Sequence, residues 1–177
     1  VRVLALGGIR SGKSQWAEAA ISRAAISGEV RYVATGAVSD GPEWAARVAI
    51  HRQRRPDRWS TVESADVTTH LRTGPDVPTL VDDVGGWLVA AMDRRRAWTG
   101  GDVTPDVDEL VAAVSEFRGP LALVSPEVGL TVVPATESGR RFADALGTLN
   151  QRLAAACDEV VLVIAGQPLT VKGRPST

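Results

Sequence analysis

The sequence predicts an α/β protein built on a mostly parallel β-sheet with helices on both faces. Three observations predict it. Short apolar, β-branched runs recur between longer amphipathic segments along the 177 residues, the pattern of strand–helix–strand units. The runs are apolar on consecutive residues, as strands buried on both faces are. The first run passes directly into a glycine-rich turn and then a helix-forming segment.

The elements follow in order. Val1–Leu6 is the first apolar run, and Lys13–Ala25 continues from the turn as a helix. Val30–Ala34 is the second strand. Ser39-Asp40-Gly41-Pro42 marks a loop, after which Glu43–Arg54 reads as a helix that Pro56 ends by biasing Arg55 away from helical geometry. Trp59–Glu63 is a further short strand. Thr73-Gly74-Pro75-Asp76 is a loop before the strand Thr79–Val81. Trp87–Trp98 and Val107–Glu116 are helices separated by the loop Thr99-Gly100-Gly101-Asp102. Gly119-Pro120 introduces the strand Leu121–Val124. Ser138–Ala156 is the longest helix, followed by the strand Val160–Ala165 and a final strand, Leu169–Lys172, placed antiparallel at an edge. No internal repeat, low-complexity tract or linker divides the chain, so residues 1–177 are expected to form one domain.

Composition narrows the function classes. The formal net charge is −1, which does not call for nucleic acid or a membrane surface as partner. No apolar run approaches membrane-spanning length. The first strand is too short, and lacks the basic flank, for a signal peptide. The single cysteine, Cys157, excludes an intrachain disulfide and is expected to be a buried structural thiol. A cytoplasmic, reducing location is expected.

Gly7-Gly8-Ile9-Arg10-Ser11-Gly12-Lys13-Ser14 satisfies G-x-x-x-x-G-K-[ST] between a strand and a helix, the context in which this motif means a triphosphate site. Glycines let backbone N–H groups converge on phosphate oxygens, and the helix N-terminus adds partial positive charge. Lys13 is expected to reach the β/γ-phosphates and the Ser14 hydroxyl to hold Mg²⁺. Only two of the twenty Lys and Arg residues are lysine. A chain that uses arginine almost everywhere keeps a point-charge ammonium here, where a planar guanidinium would not fit.

The strand Thr79–Val81 runs into Asp82-Asp83. In phosphate-loop enzymes an acid at such a strand end orients Mg²⁺. Asp82 is the choice because it directly follows the apolar run, and Asp83 is the alternative.

The stretch from Glu43 to Trp59 holds His51 beside Arg47, Arg52, Arg54, Arg55 and Arg58. Trp44, Arg47, Val48 and His51 share one face of a helix. Neighbouring guanidiniums disfavour imidazolium, so His51 is expected to stay neutral and nucleophilic. The same arginines can neutralise a triphosphate. Their competing role, binding nucleic-acid phosphates, lacks a recognised module and has only Trp44 and Trp59 as nearby aromatics. His70 has no comparable surroundings and reads as structural.

Together these segments resemble the bifunctional adenosylcobinamide kinase/adenosylcobinamide-phosphate guanylyltransferase family of cobalamin biosynthesis. The resemblance runs the length of the chain. It rests on G-G-x-R-S-G-K-S at Gly7–Ser14 and on R-x-x-x-H-x-x-x-R-P-x-x-W from Arg47 through His51, Arg55 and Pro56 to Trp59. It continues with E-V-G-x-x-x-V-P at Glu127–Pro134 and R-x-F-x-D-x-x-G-x-x-N-Q-R-L-A at Arg140–Ala154. The chain departs from the family pattern at Asp83, where Cys or another small residue is common, and at Gly85-Gly86, where bulkier residues are common. It departs again at Pro126, where Asn is frequent, and at Ala135, where Glu is frequent.

The resemblance implies a phosphate-loop, RecA-like α/β fold in a homo-oligomer, with a trimer as the candidate assembly. It implies two reactions: phosphorylation of adenosylcobinamide by ATP or GTP, and transfer of GMP from GTP through a guanylyl-histidine to adenosylcobinamide phosphate. His51 is then the guanylylated residue, and Lys13 serves both steps. The implied nucleotide contacts are Gly7, Gly8, Ile9, Arg10, Ser11, Gly12, Lys13 and Ser14, then Thr35, Gly36 and Ala37, then Arg52, Gln53, Arg54 and Arg55, and finally Glu63 and Asp82. Ser14 and Asp82 are the implied Mg²⁺ ligands. Two rival readings stay open at this stage: a small-molecule kinase without a covalent intermediate, and a nucleotide-dependent switch or nucleic-acid-associated ATPase.

Overall fold

The computed structural model describes residues 1–36 and 56–173. The expected helix Glu43–Arg54 and the loop before it lie outside them. The described chain forms a seven-stranded sheet in the order β3-β2-β4-β5-β1-β6-β7. The strands are β1 (Arg2–Gly7), β2 (Val30–Ala34), β3 (Trp59–Glu63), β4 (Thr79–Asp82), β5 (Leu121–Pro126), β6 (Glu159–Ile164) and β7 (Gln167–Lys172). Every pairing is parallel except β6 with β7. The expected fold class is therefore the observed one, and the antiparallel edge strand is where the sequence placed it.

Period-two alternation sorts the strand residues onto two faces. Val3 and Ala5 of β1, Leu80 of β4, Ala122 and Val124 of β5, and Val161 and Val163 of β6 join one core with α1 (Lys13–Ala24) through Ala17 and Ile21. Leu4, Val81, Leu121, Leu123 and Val160 point the other way. There they meet α2 (Val67–Thr73), α3 (Val84–Arg95), α4 (Thr104–Glu116) and α5 (Glu137–Ala156). Strands buried on both faces explain why the runs read as continuously apolar. On α5, Leu146, Leu149 and Leu153 recur at helical spacing and are fully buried. Burying each contributes about 1.5–3 kcal/mol, and Leu149→Ala alone, which also leaves a cavity, is expected to cost about 2–5 kcal/mol.

Three differences from the sequence reading have local causes. Helix α2 was not expected. Its β-branched, threonine-rich residues are poor helix formers. The Asp66 carboxylate caps it by accepting from Thr69 N–H, and Val67 and Leu71 bury one turn apart. Helix α3 begins three residues before the expected Trp87, because Asp83 caps its first turn and carries the helix across Gly85-Gly86. It also ends earlier, at Arg95, and Ala97–Thr99 is a separate 3₁₀ turn. Helix α4 begins at Thr104, with Pro105 in its first turn. No helix among the described residues is long and apolar enough to cross a membrane.

Cys157 is buried at the end of α5, and desolvation pushes its thiol up to about 12. It is the inert structural thiol the sequence suggested.

Candidate active site

All six parallel strands end at the same edge of the sheet, and that edge collects the candidate residues. In parallel α/β sheets ligands sit beyond the carboxyl ends of the strands. Register sets the rows: Gly7 lies level with Pro126 and with Val163, and Ala34 lies level with both Asp82 and Glu63.

The phosphate loop leaves β1 at Gly7 and enters α1 through Gly12, which caps the helix at φ 92°. Arg10 is also left-handed, at φ 56°. Gly7 is required by contact, since a Cβ there would lie 2.3 Å from Ser11 Oγ and 2.8 Å from the Val163 carbonyl oxygen. The Lys13 ammonium donates to the Gly8 carbonyl oxygen at 3.2 Å, which folds it back over the loop. A cavity of about 960 Å³ opens above, lined by Gly8–Gln15, Asp83, Pro126–Val128, Leu130, Thr131 and Leu162–Ile164.

Ser14 Oγ donates to Asp82 Oδ1 at 3.3 Å. The other oxygen of that carboxylate accepts from the Tyr32 hydroxyl at 2.6 Å. Both oxygens are thus oriented, and Tyr32 is a residue that sequence reading missed. A serine hydroxyl beside a carboxylate is a hard-oxygen pair of the kind Mg²⁺ takes, usually alongside phosphate oxygens and water. The donor set fits the metal. Among the described residues no cluster of three His, Cys, Asp or Glu residues could hold a metal unaided.

Asp83 makes different contacts from Asp82. Its Oδ1 accepts from Gly86 N–H at 2.8 Å and starts α3. Burial pushes its carboxyl up, the Gly86 bond opposes this, and the neighbouring Asp82 charge adds to the rise. The peptide bond between the two is cis. Thr35 is buried, its hydroxyl donates to the Asp83 carbonyl, and its N–H donates to the Asp82 carbonyl at 3.1 Å. Gly36 follows at the same edge. Gly86 is required there: a Cβ would stand 2.8 Å from Thr35 Oγ1 and 3.3 Å from Gly36 N. Gly85 packs against Pro126, whose Cγ lies 3.0 Å from where a Cβ would be. Two departures from the family pattern therefore meet in space.

The segment after β5 is held by a buried polar pair. Ser125 Oγ donates to Asn150 Oδ1 at 2.6 Å, and Asn150 Nδ2 donates to the Pro126 carbonyl at 3.0 Å. The Glu127 N–H then donates to Gly7 O at 3.0 Å. Glu63 lies at the end of β3, in the same row as Ala34 and Asp82. The structure therefore brings Gly7, Gly8, Ile9, Arg10, Ser11, Gly12, Lys13, Ser14, Thr35, Gly36, Glu63 and Asp82 to one edge. Ala37, Trp44, Arg47, His51, Arg52, Gln53, Arg54 and Arg55 lie outside the described residues. His70 sits in the last turn of α2.

Fold and site together define a phosphate-loop nucleotide-binding protein. The chain belongs to the cobinamide kinase/cobinamide phosphate guanyltransferase family, whose model matches residues 3–171. It is 36% identical over 183 residues to the bifunctional adenosylcobalamin biosynthesis protein CobP of Pseudomonas aeruginosa, covering 99% of both chains. The CobU proteins of Escherichia coli and Salmonella typhimurium, described in the same words, are each 36% identical over 190 residues, covering 96% of this chain and 99% of theirs. Among solved structures, the P4 protein from bacteriophage phi6 in complex with ADP overlaps 98% of this chain and 56% of that one, at TM-score 0.46 and 16% identity.

Proposed function

We propose that this chain performs both reactions of its family: it phosphorylates cobinamide, as the adenosyl form, with ATP or GTP, and transfers GMP from GTP to the phosphorylated product. Residues 1–177 act as one catalytic domain in the cytoplasm, in a homo-oligomer for which a trimer is the candidate form. The observation that carries the reading is the Ser14–Asp82 pair, 3.3 Å apart beside Lys13 and the amide-lined loop, within a match to the family over residues 3–171.

In the kinase step the loop amides and Lys13 hold the triphosphate and offset charge developing on the γ-phosphoryl group. The acceptor hydroxyl oxygen forms a bond to the γ-phosphorus, the bond from that phosphorus to the β–γ bridging oxygen breaks, the nucleoside diphosphate leaves with that oxygen, and the hydroxyl proton passes to solvent. Ser14 and Asp82 would hold Mg²⁺, which would supply positive charge against the negative charge of the triphosphate. Asp83 is left to cap α3 and position the strand end.

In the nucleotidyl step a neutral imidazole nitrogen of His51 bonds to the α-phosphorus of GTP and pyrophosphate leaves. A phosphate oxygen of the corrinoid then takes the guanylyl group, which frees the imidazole. The support for His51 is its place in R-x-x-x-H-x-x-x-R-P, with Arg52, Gln53, Arg54 and Arg55 next to it. Ala37 and Glu63 complete the nucleotide contacts.

The test is incubation with α-labelled GTP and Mg²⁺. Wild type is expected to acquire an acid-labile, alkali-stable label, His51→Ala to acquire none, and Lys13→Ala to lose nucleotide affinity at least about tenfold, the scale of one charge-assisted contact. Cobinamide phosphorylation without any protein label would leave a simple kinase and remove the covalent step.

A further inference from the structure

A loop that turns its N–H groups toward an anion must turn carbonyl oxygens away from it, and those need donors of their own. The donors here can be followed one by one. Gly8 O accepts from Ser11 N–H at 3.3 Å and from Lys13, and Gly12 O accepts from Trp16 N–H at 2.9 Å. These bonds are internal to the loop and its helix. Two others come from outside it: Glu127 N–H donates to Gly7 O at 3.0 Å, and Gly166 N–H donates to Ser11 O at 2.7 Å.

Gly166 belongs to the two-residue turn that joins β6 to β7. Ile164 pairs with Gln167 across it, and Ala165 and Gly166 are both left-handed, at φ 50° and 76°. Such turns fit the twist of a hairpin. The turn stands directly against the loop: a Cβ on Gly12 would lie 3.1 Å from Gly166 Cα. The far end of the hairpin is anchored as well. Lys172, the other lysine of the chain, donates to the carbonyls of Ala154, Ala155 and Cys157 at 2.8, 3.2 and 2.6 Å, closing the end of α5.

We propose that the β6–β7 turn is a strut for the phosphate loop, and that Gly166 is a positioning residue for the nucleotide triphosphate through its bond to the Ser11 carbonyl. The proposal rests on reading Gly7–Ser14 as the nucleotide site. The left-handed turn aims the Gly166 N–H at Ser11. A residue that resists this geometry swings the donor away, frees the loop to sample other shapes, and lowers the fraction competent to bind.

The test compares Gly166→Ala, Gly166→Asn and Gly28→Ala with wild type, using the full chain. Gly28 has the same backbone geometry, φ 74°, but lies between α1 and β2 at the opposite edge of the sheet, with only ordinary contact to Arg58 around its Cβ position. The measurements are calorimetric affinity for Mg·ATP and Mg·GTP, thermal stability, and amide hydrogen exchange at Gly166. Gly166→Ala is expected to weaken both nucleotides about fivefold or more, matching the cost of forcing Ala left-handed. Gly166→Asn, which tolerates that geometry, is expected to stay within about twofold of wild type. Gly28→Ala is expected to lose stability with affinity unchanged. Nucleotide is expected to slow exchange at Gly166 in wild type, because coupling is reciprocal. Wild-type affinity in Gly166→Ala, or exchange at Gly166 indifferent to nucleotide, overturns the strut. Wild type that binds neither nucleotide overturns the reading of the loop and the strut with it.

Discussion

Tyr32→Phe tests how the Asp82 carboxylate is held. Tyr32 is 3% exposed, and its ring packs in the α1-side core with its centroid 6.4 Å from that of Trp59. Phenylalanine keeps this packing and removes only the hydroxyl, which donates to Asp82 Oδ2 at 2.6 Å. A hydrogen bond to a charged acceptor contributes about 1.5–3 kcal/mol. Asp82 is half-buried at the mouth of the site, so water takes over part of the bond and about 1–2 kcal/mol of loss is expected. In a chain of this size that is a fall of roughly 2–8 °C in Tm. Asp82→Ala removes the acceptor and also relieves repulsion with Asp83, so the single variants do not isolate the bond. The double-mutant cycle does, and its coupling energy from urea unfolding is expected to be about 1 kcal/mol or more. Coupling below about 0.5 kcal/mol, within ordinary non-additivity, would refute the claim that Tyr32 orients this carboxylate.

Three further outcomes are expected. Ala165→Asn suits the left-handed turn better than Ala and is expected to raise stability by up to about 1 kcal/mol, read as a higher urea midpoint. Asp158 accepts from Arg2 N at 2.8 Å and Arg2 Nη2 at 3.1 Å, and these bonds hold its carboxyl below the ordinary carboxylate range. Its contribution is therefore fully present above the ordinary carboxylate range and is lost as pH falls below that range, through the depressed folded-state pKa. Asp158→Asn is expected to cost no more than about 1 kcal/mol, given the exposure of the pair, and the gap in Tm to wild type should narrow as pH drops below the ordinary carboxylate range. Cys157 should resist a disulfide reagent at neutral pH in the folded chain and react on unfolding, a contrast that rapid native labelling would contradict.

How far the site was legible follows from how local each feature is. The phosphate loop depends on neighbours in sequence, so its glycines, Lys13 and Ser14 could be read directly. Asp82 and Asp83 were legible as a pair because an apolar strand ends on them, but nothing in sequence separated the contacts of one from those of the other. That needed the start of α3, which Gly85-Gly86 conceals because two glycines read as a loop. Tyr32 sits 50 residues away in sequence from the acid it holds and reads there as any core aromatic. The bond from Gly166 to Ser11 joins the two ends of the chain and left no trace in either. Helix α2 was hidden by residues whose intrinsic preference is for strands, overridden here by a cap and two buried side chains.

The meeting of Gly85 with Pro126 bears on how relatives can be compared or recombined. A Cβ at 85 would press on the proline ring at 3.0 Å and on Asp83 Oδ1 at 3.1 Å, so a side chain there needs the ring to give by a few tenths of an ångström. Sequence transplants from a relative into this chain should therefore carry both sites together, because the room at one is set by the ring at the other.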